Sequence, residues 1–147
     1  MANLIFHTDG GAAGLILRFT VAVVFFPHGA QKLFGWFGGY GPSGTLGFFK
    51  NLGVPTVAGW LGILVEAVGP VLLVLGLGTR VVALLLAGVM VSALWFVHRP
   101  HGFFMNWGGK LQAGQEGFEY HLVMLGALAA LLVTGGGTWS LDALLAR

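Results

Sequence analysis

The stretch VAGWLGILVEAVGPVLLVLGL, residues 57–77, decides the fold class. Its length suits the hydrocarbon core of a bilayer, which takes about 20 residues, and its one charged side chain is Glu66. Three further apolar stretches are residues 12–34, 80–98 and 118–134. Backbone groups in lipid must be satisfied within a segment, and barrel strands would alternate in polarity, so all four stretches are predicted to be helices. We therefore predict an all-α transmembrane four-helix bundle, formed by residues 1–147 as a single domain.

The composition agrees with lipid as the solvent for much of the chain. Hydrophobic residues make up 56% of the 147 and charged residues 8%, with a mean hydropathy of +0.88, whereas soluble domains carry about 25% charged residues. A net charge of +2 without basic runs argues against nucleic acid binding. The lack of cysteine excludes thiol chemistry, disulfides and iron–sulfur ligation. Because residues 1–11 lack a basic signal-peptide region, we expect the first apolar segment to be retained.

The connections between the helices differ in length. A tight turn at residues 76–78 makes the second and third helices antiparallel neighbours, and a small amphipathic piece at residues 45–52 lies in the first long loop. The segment GFFKNLG at 47–53 matches GFFMNWG at 102–108 in five of seven positions. This favours a duplicated helical hairpin with both loops at one membrane face, although chance likeness is the alternative in a glycine-rich chain. The tail, residues 139–145, is predicted to form interfacial turns.

Ionisable side chains inside the apolar segments are the candidate functional residues, because each costs roughly 2.5–3.5 kcal/mol in hydrocarbon by insertion scales. At about 100° per residue, Arg18, His28 and Lys32 share one face of the first helix. Glu66 lies on a glycine-lined packing face of the second helix. Two interpretations stay open. Glu66 forms a structural ion pair with Arg18 or Lys32, or it belongs to a buried polar site that binds a head group or relays protons.

A second layer of polar groups lies at the loop end. Glu119 begins the fourth helix there, and His121 lies about 200° away from it, so the two cannot face one centre. We expect an apolar pocket with a few convergent polar groups at this end, which is the usual form of a ligand site. The residues predicted to bind a quinone or a lipid head group in it are His28, Lys32, Glu66, His98, His101 and Glu119.

Three kinds of ligand fit these residues. A quinone would take hydrogen bonds from histidine and lysine while a glutamate manages protons. A haem would use His28 and His98 as axial ligands, and an absorbance spectrum tests that alternative. A metal would need His98, His101 and Glu119, but a His-x-x-His pair in a loop is a poor metal pattern, so no metal site is predicted. For each histidine, a simple hydrogen-bonded interfacial role is the alternative.

The order of several short motifs resembles the DoxX family. The first helix carries LRF at 17–19 and HGAQKLFG at 28–35, and the second carries Glu66, Gly69 and Pro70 before LLVLG at 72–76 and TR at 79–80. The pattern continues with HGFF at 101–104, EY at 119–120 and WSLD at 139–142. The resemblance covers residues 15–145.

This resemblance implies a four-helix protein of the bacterial inner membrane. The family takes its name from the small subunit of a thiosulfate:quinone oxidoreductase, and some members look like membrane anchors for soluble redox or detoxifying enzymes. The absence of cysteine here argues against a thiol or persulfide step in this subunit. The loops carry slightly more positive charge than the opposite face, yet long aromatic loops are more often external, so we expect both termini in the cytoplasm.

The resulting expectation is a membrane subunit of a redox assembly that binds a quinone or lipid-like ligand in the loop-side pocket. The alternative is a non-catalytic anchor or accessory subunit that helps assemble a larger complex, and a transporter is a third reading. The sequence assigns no catalytic residue and no catalytic activity to the chain itself. Expected partners are membrane lipids and either another protein or further copies of the chain, but not nucleic acid.

Overall fold

A computed structural model describes residues 6–9, 11–112 and 114–146. All regular structure in these ranges is helical, which confirms the all-α class. Helix α1 spans Ala13–Phe34, α2 Gly41–Asn51, α3 Thr56–Leu75, α4 Thr79–Ala93, α5 Glu119–Thr134 and α6 Leu141–Leu145. A π-helical turn, Leu94–His98, and a 3-10 turn, Arg99–His101, continue α4, and a further 3-10 turn, Trp36–Gly38, follows α1.

Three helices in the described ranges are long and apolar enough to cross a membrane: α1, α3 and the continuous run Thr79–His101. The apolar helix α5 has 16 residues and is about 24 Å long at 1.5 Å per residue, shorter than the ~30 Å hydrocarbon core. The end of α3 comes two residues before the predicted one, because Gly76 takes a left-handed conformation, φ +66°, and caps the helix.

The four long helices pack in a ring. Helix α1 lies against α3 and α5, and α4 lies against the same two helices. This is consistent with the predicted four-helix bundle. Large apolar side chains also cover the outside, for example Val23 (70% exposed) and Val123 (67%), as suits a lipid-facing surface. The buried interior is formed by Val21, Ala22, Phe25, Leu73, Val82, Ala83, Leu86, Met90, Met124, Leu128 and Leu131.

The α1–α3 contact is the most extensive between helices, and it depends on Gly29. A Cβ atom at this position would overlap the backbone carbonyl group of Glu66 and lie 2.6 Å from the Cα of Ala67. Pro70, one turn further along α3, has no N–H to donate to that carbonyl. The glycine therefore lets the backbones meet at the level of Glu66, as the predicted packing face requires.

The two Gly-Phe-Phe segments differ in conformation. The first lies inside α2, which confirms a helix in this loop. The second follows a 3-10 turn, and its backbone pairs with the start of α5 through Phe118 N to Gly102 O (3.1 Å) and Glu119 N to Phe103 O (2.8 Å). Their local structures thus do not repeat, and the duplicated hairpin stays a prediction.

Candidate functional site

A groove of about 1220 Å³ opens at the loop end of the bundle. Its walls come from α2, the first half of α3 and the second half of α4 with the π-helical turn. Several wall residues are apolar and strongly exposed, among them Leu61 (58%) and Leu84 (61%). The groove therefore opens sideways between α3 and α4, toward the surface where lipid tails would lie.

An ion pair forms part of the groove lining. The ammonium group of Lys32, in the last turn of α1, donates a hydrogen bond to Glu66 Oε2, in the middle of α3. The Glu66 side chain is 6% exposed and that of Lys32 is 27% exposed. Pairing offsets the cost of placing either charge away from water. The pair thus links α1 to α3 and also presents polar atoms to the groove.

Arg18 does not take part in this ion pair. Its fully buried guanidinium donates to the carbonyls of Leu73 and Val74 at the end of α3, and to those of Gly136 and Trp139 in the tail. In the described part of the chain, Glu66 is paired with Lys32 alone. The predicted pairing of Arg18 with Glu66 is therefore replaced by a backbone-binding role, because Arg18 lies one turn inside α1, at the opposite end from Lys32.

Asp142 completes the assembly at that opposite end. Its carboxylate, 1% exposed, accepts hydrogen bonds from Gly78 N (2.6 Å) and Thr79 N (2.8 Å) at the start of α4. Backbone N–H groups at a helix start otherwise lack partners, so the carboxylate caps α4. The short tail helix α6, predicted as interfacial turns, is held in place by these contacts. Arg18 and Asp142 are therefore structural residues, remote from the groove.

His98 lies on the groove wall that the end of α4 forms. It ends the π-helical turn, a type of irregularity that is frequent at functional sites. Its Nδ1 atom lies 2.8 Å from the carbonyl oxygen of Glu116 in the second long loop. Its ring packs against the ring of His121, with centroids 4.2 Å apart. The loop and α5 thus fix the position of His98 from behind the groove.

The other predicted ligand residues do not line the groove. Glu119 Oε2 accepts from Met105 N (3.2 Å) and Trp107 Nε1 (3.1 Å), which fastens the second loop to α5. His28 and His101 are exposed, and neither contributes to the groove lining. Of the six predicted residues, the groove therefore brings together Lys32, Glu66 and His98.

His121 is not among the predicted ligand residues. It is 6% exposed, and its Nδ1 has no hydrogen-bond partner among the described residues. The signal for it in the sequence is an ionisable side chain inside an apolar helix, which is the same signal that points to Glu119. The described ranges contain no group of three or more side chains placed to hold a metal ion, so His98, His101 and Glu119 are not brought together as ligands.

Two glycines leave room in the groove. Gly62 on α3 and Gly88 on α4 both line it, and no described atom lies within 4 Å of a Cβ built at either position. Gly126 on α5 has the same open surroundings but is not part of the lining. A Cβ atom at Gly62 or Gly88 would therefore occupy open space beside the groove. One at Gly126 would occupy open space outside it, and none of the three would touch a neighbouring helix.

The chain is similar to proteins of three bacteria along most of its length. CatD of Bacillus subtilis, whose name describes it provisionally as an oxidoreductase, is 30% identical over 128 residues, 87% of this chain and 83% of CatD. An uncharacterised membrane protein of Mycobacterium tuberculosis is 33% identical over 154 aligned positions, 96% of this chain and 86% of the relative. The inner membrane protein YphA of Escherichia coli is 29% identical over 146 positions, 95% of this chain and 98% of YphA.

No solved structure is significantly similar to the chain. The family model described as DoxX matches residues 13–99, which include α1 to α4 and the groove walls. The relatives extend the similarity through α5. The apolar helices and these relatives make the chain a membrane protein, and it belongs to the DoxX family.

Proposed function

We propose that the chain is a subunit of a redox assembly in the bacterial inner membrane and that its groove binds a quinone or a lipid-like molecule. One observation carries this proposal: a groove that opens toward lipid between α3 and α4 has Lys32, Glu66 and His98 in its lining. Such a groove suits an amphipathic ligand. The tail would lie along the exposed apolar walls while the head group meets the polar atoms.

The size and chemistry of the groove support this class of ligand. Its volume of about 1220 Å³ exceeds the ~300–1,000 Å³ of ordinary small-molecule sites, which leaves space for a ring and part of a tail. Lys32 supplies a hydrogen-bond donor, and Phe48, Phe49 and Phe96 supply aromatic walls. The redox assignment is supported by the name of CatD. Because the chain has no cysteine, its part would be to hold the ligand rather than to supply a thiol.

Filling the groove tests ligand binding. Gly88→Leu adds a side chain at the groove wall, at a position where a Cβ atom has no described atom within 4 Å. Saturating decylubiquinone is expected to raise the melting temperature of the purified wild type by about 5–10 °C, since ligand at 100 times its Kd contributes about 2.7 kcal/mol. Gly88→Leu should remove this rise. Gly126→Leu, an equally unhindered change outside the groove, should keep it.

Two results would contradict ligand binding in the groove. One is a wild-type melting temperature that does not respond to the quinone. The other is a rise of equal size in Gly88→Leu. The anchor or accessory role predicts a different result. The assembly of a partner enzyme would then depend on this chain, but its turnover per assembled complex would be unaffected by Gly88→Leu.

We place both termini in the cytoplasm and the two long loops outside, in a multi-pass arrangement. The support is the inner-membrane relative, which is matched over 98% of its length, and the aromatic character of the loops. Because the chain lacks cysteine, single-cysteine variants report orientation directly. A membrane-impermeant maleimide should label Lys50→Cys on intact spheroplasts but label Ala146→Cys only after lysis. The reverse pattern would invert the orientation.

A further inference from the structure

The hydrogen bond of His98 fixes which ring nitrogen carries the proton. A backbone carbonyl can only accept, so the 2.8 Å contact with the oxygen of Glu116 requires a proton on Nδ1 of His98. In a neutral imidazole the other nitrogen, Nε2, is then a bare acceptor. No hydrogen bond joins this Nε2 atom to the described residues. His98 therefore has one acceptor left for a ligand.

The surroundings of the ring direct that acceptor toward the groove. Glu116, on the Nδ1 side of the ring, does not line the groove. His121, which packs against the ring at a centroid distance of 4.2 Å, does not line it either. His98 itself does. The ring edge that bears Nε2 is therefore the part of His98 left to face the ligand.

Glu66 offers a second acceptor from the α3 wall of the groove. Its Oε2 atom is taken by Lys32, whereas Oε1 makes no hydrogen bond to the described part of the chain. Among the described residues, the fully buried side-chain nitrogen and oxygen atoms without a partner are Thr79 Oγ1 and His121 Nδ1. Oε1 of Glu66 is not one of them, so it keeps some accessible surface, and Glu66 lines the groove. Two acceptors, Nε2 of His98 and Oε1 of Glu66, thus border the cavity.

Acceptors need hydroxyl groups opposite them. The two oxygens of a quinone are carbonyls, which can accept from Lys32 but leave both acceptors of the groove without a partner. Those of a quinol are hydroxyls, which can accept from Lys32 and also donate to His98 and Glu66. We infer that the groove selects the reduced, dihydroxy form of a ring ligand over its quinone form, with His98 as the residue that sets the selectivity. This inference rests on the proposed function, because it concerns the ligand of the same groove.

Binding of the two redox forms measures this selectivity. Wild type in nanodiscs, kept anaerobic, should bind decylubiquinol about tenfold more tightly than decylubiquinone, the effect of one hydrogen bond of about 1.4 kcal/mol. His98→Phe keeps an aromatic ring against His121 but has no acceptor, so the affinity ratio should fall well below tenfold, with Glu66 as the remaining acceptor. His101→Phe changes an exposed histidine outside the groove lining and should keep the tenfold ratio.

The outcomes separate ligand binding in the groove from selectivity for the reduced form. If both forms bind equally, or the quinone binds more tightly, and binding is lost in Gly88→Leu, the groove is a ligand site but the selectivity is wrong. If neither form binds, or if binding is the same in Gly88→Leu, the proposed function fails and the selectivity with it. A tenfold ratio that survives in His98→Phe would also overturn the role of His98.

A second measurement does not depend on a variant that folds well. In wild type labelled with ¹⁵N-histidine, the His98 side chain should show a protonated Nδ1 and an unprotonated Nε2, with the signal assigned by its contact with ligand protons. Addition of decylubiquinol should shift the Nε2 signal more than addition of decylubiquinone. A proton found on Nε2 in the ligand-free protein would contradict the inference.

Discussion

Arg18→Met is expected to leave little or no folded protein in detergent. The side chain is 0% exposed, and its guanidinium donates to the carbonyls of Leu73, Val74, Gly136 and Trp139 at 2.6–2.9 Å. Methionine fills similar space but donates nothing. The Leu73 carbonyl would keep the hydrogen bond from Gly76 N, but the other three carbonyls would lose their donor. A buried polar group left without a partner costs about 1–3 kcal/mol, so the loss would be about 3 kcal/mol or more. The yield of monodisperse protein and its melting temperature measure the loss.

A matched arginine serves as the control. Arg99 is exposed and lies over the ring of Trp95, 4.3 Å from its centroid, a contact worth about 0.5–1 kcal/mol at an exposed site. Arg99→Met should therefore stay close to wild type. Arg18→Lys should be intermediate, because an ammonium group supplies three donors but not the planar fork of a guanidinium. If Arg18→Met were as stable as Arg99→Met, the tail and α3 would not depend on Arg18.

Gly29→Ala is the second change with a large expected effect. The added methyl group would overlap the carbonyl of Glu66 and approach the Cα of Ala67 within 2.6 Å. Both obstacles are backbone, so α1 and α3 must separate rather than rotate a side chain. Overpacking of this kind costs about 1–3 kcal/mol or more. Since Lys32 and Glu66 sit on these two helices, their ion pair should also be displaced and ligand binding weakened.

The control for Gly29→Ala is Gly126→Ala. No described atom lies within 4 Å of a Cβ at Gly126, and alanine is the better helix former by about 1 kcal/mol. Thermal unfolding should thus show a lower melting temperature for Gly29→Ala and an unchanged or slightly raised one for Gly126→Ala. Equal melting temperatures for the two variants would mean that the α1–α3 contact tolerates a wider spacing.

The apolar segments and their connections follow from the sequence because hydrophobic length and glycine caps are local signals. The sequence predicts a helix at residues 57–77, and the structure has α3 at Thr56–Leu75. The turn after α3 lies at the glycines that predict it. The role of Arg18 could not be predicted in the same way. Its partners are backbone carbonyls 55 to 121 positions away, and a carbonyl that needs a donor leaves no mark in residue identity.

The candidate site could likewise be predicted only in part. Helical-face geometry put Lys32 on a face of α1 that could reach Glu66, and the structure pairs the two. It also excluded a shared centre for Glu119 and His121, but it could not say which of them faces the bundle. That depends on the second long loop. Met105 N and Trp107 Nε1 of this loop donate hydrogen bonds to Glu119, and His121 takes the buried position. Loop conformation of this kind has no periodic signal in the sequence.

The most direct test of the groove as a ligand site is mass spectrometry of the small molecules that accompany the protein from its own membrane. Wild type and Gly126→Leu should each carry about one quinone, quinol or similar amphipathic molecule per chain after gentle purification. Gly88→Leu, purified in parallel, should have lost it. The same amount of this molecule in all three proteins, or none in any of them, would contradict the account.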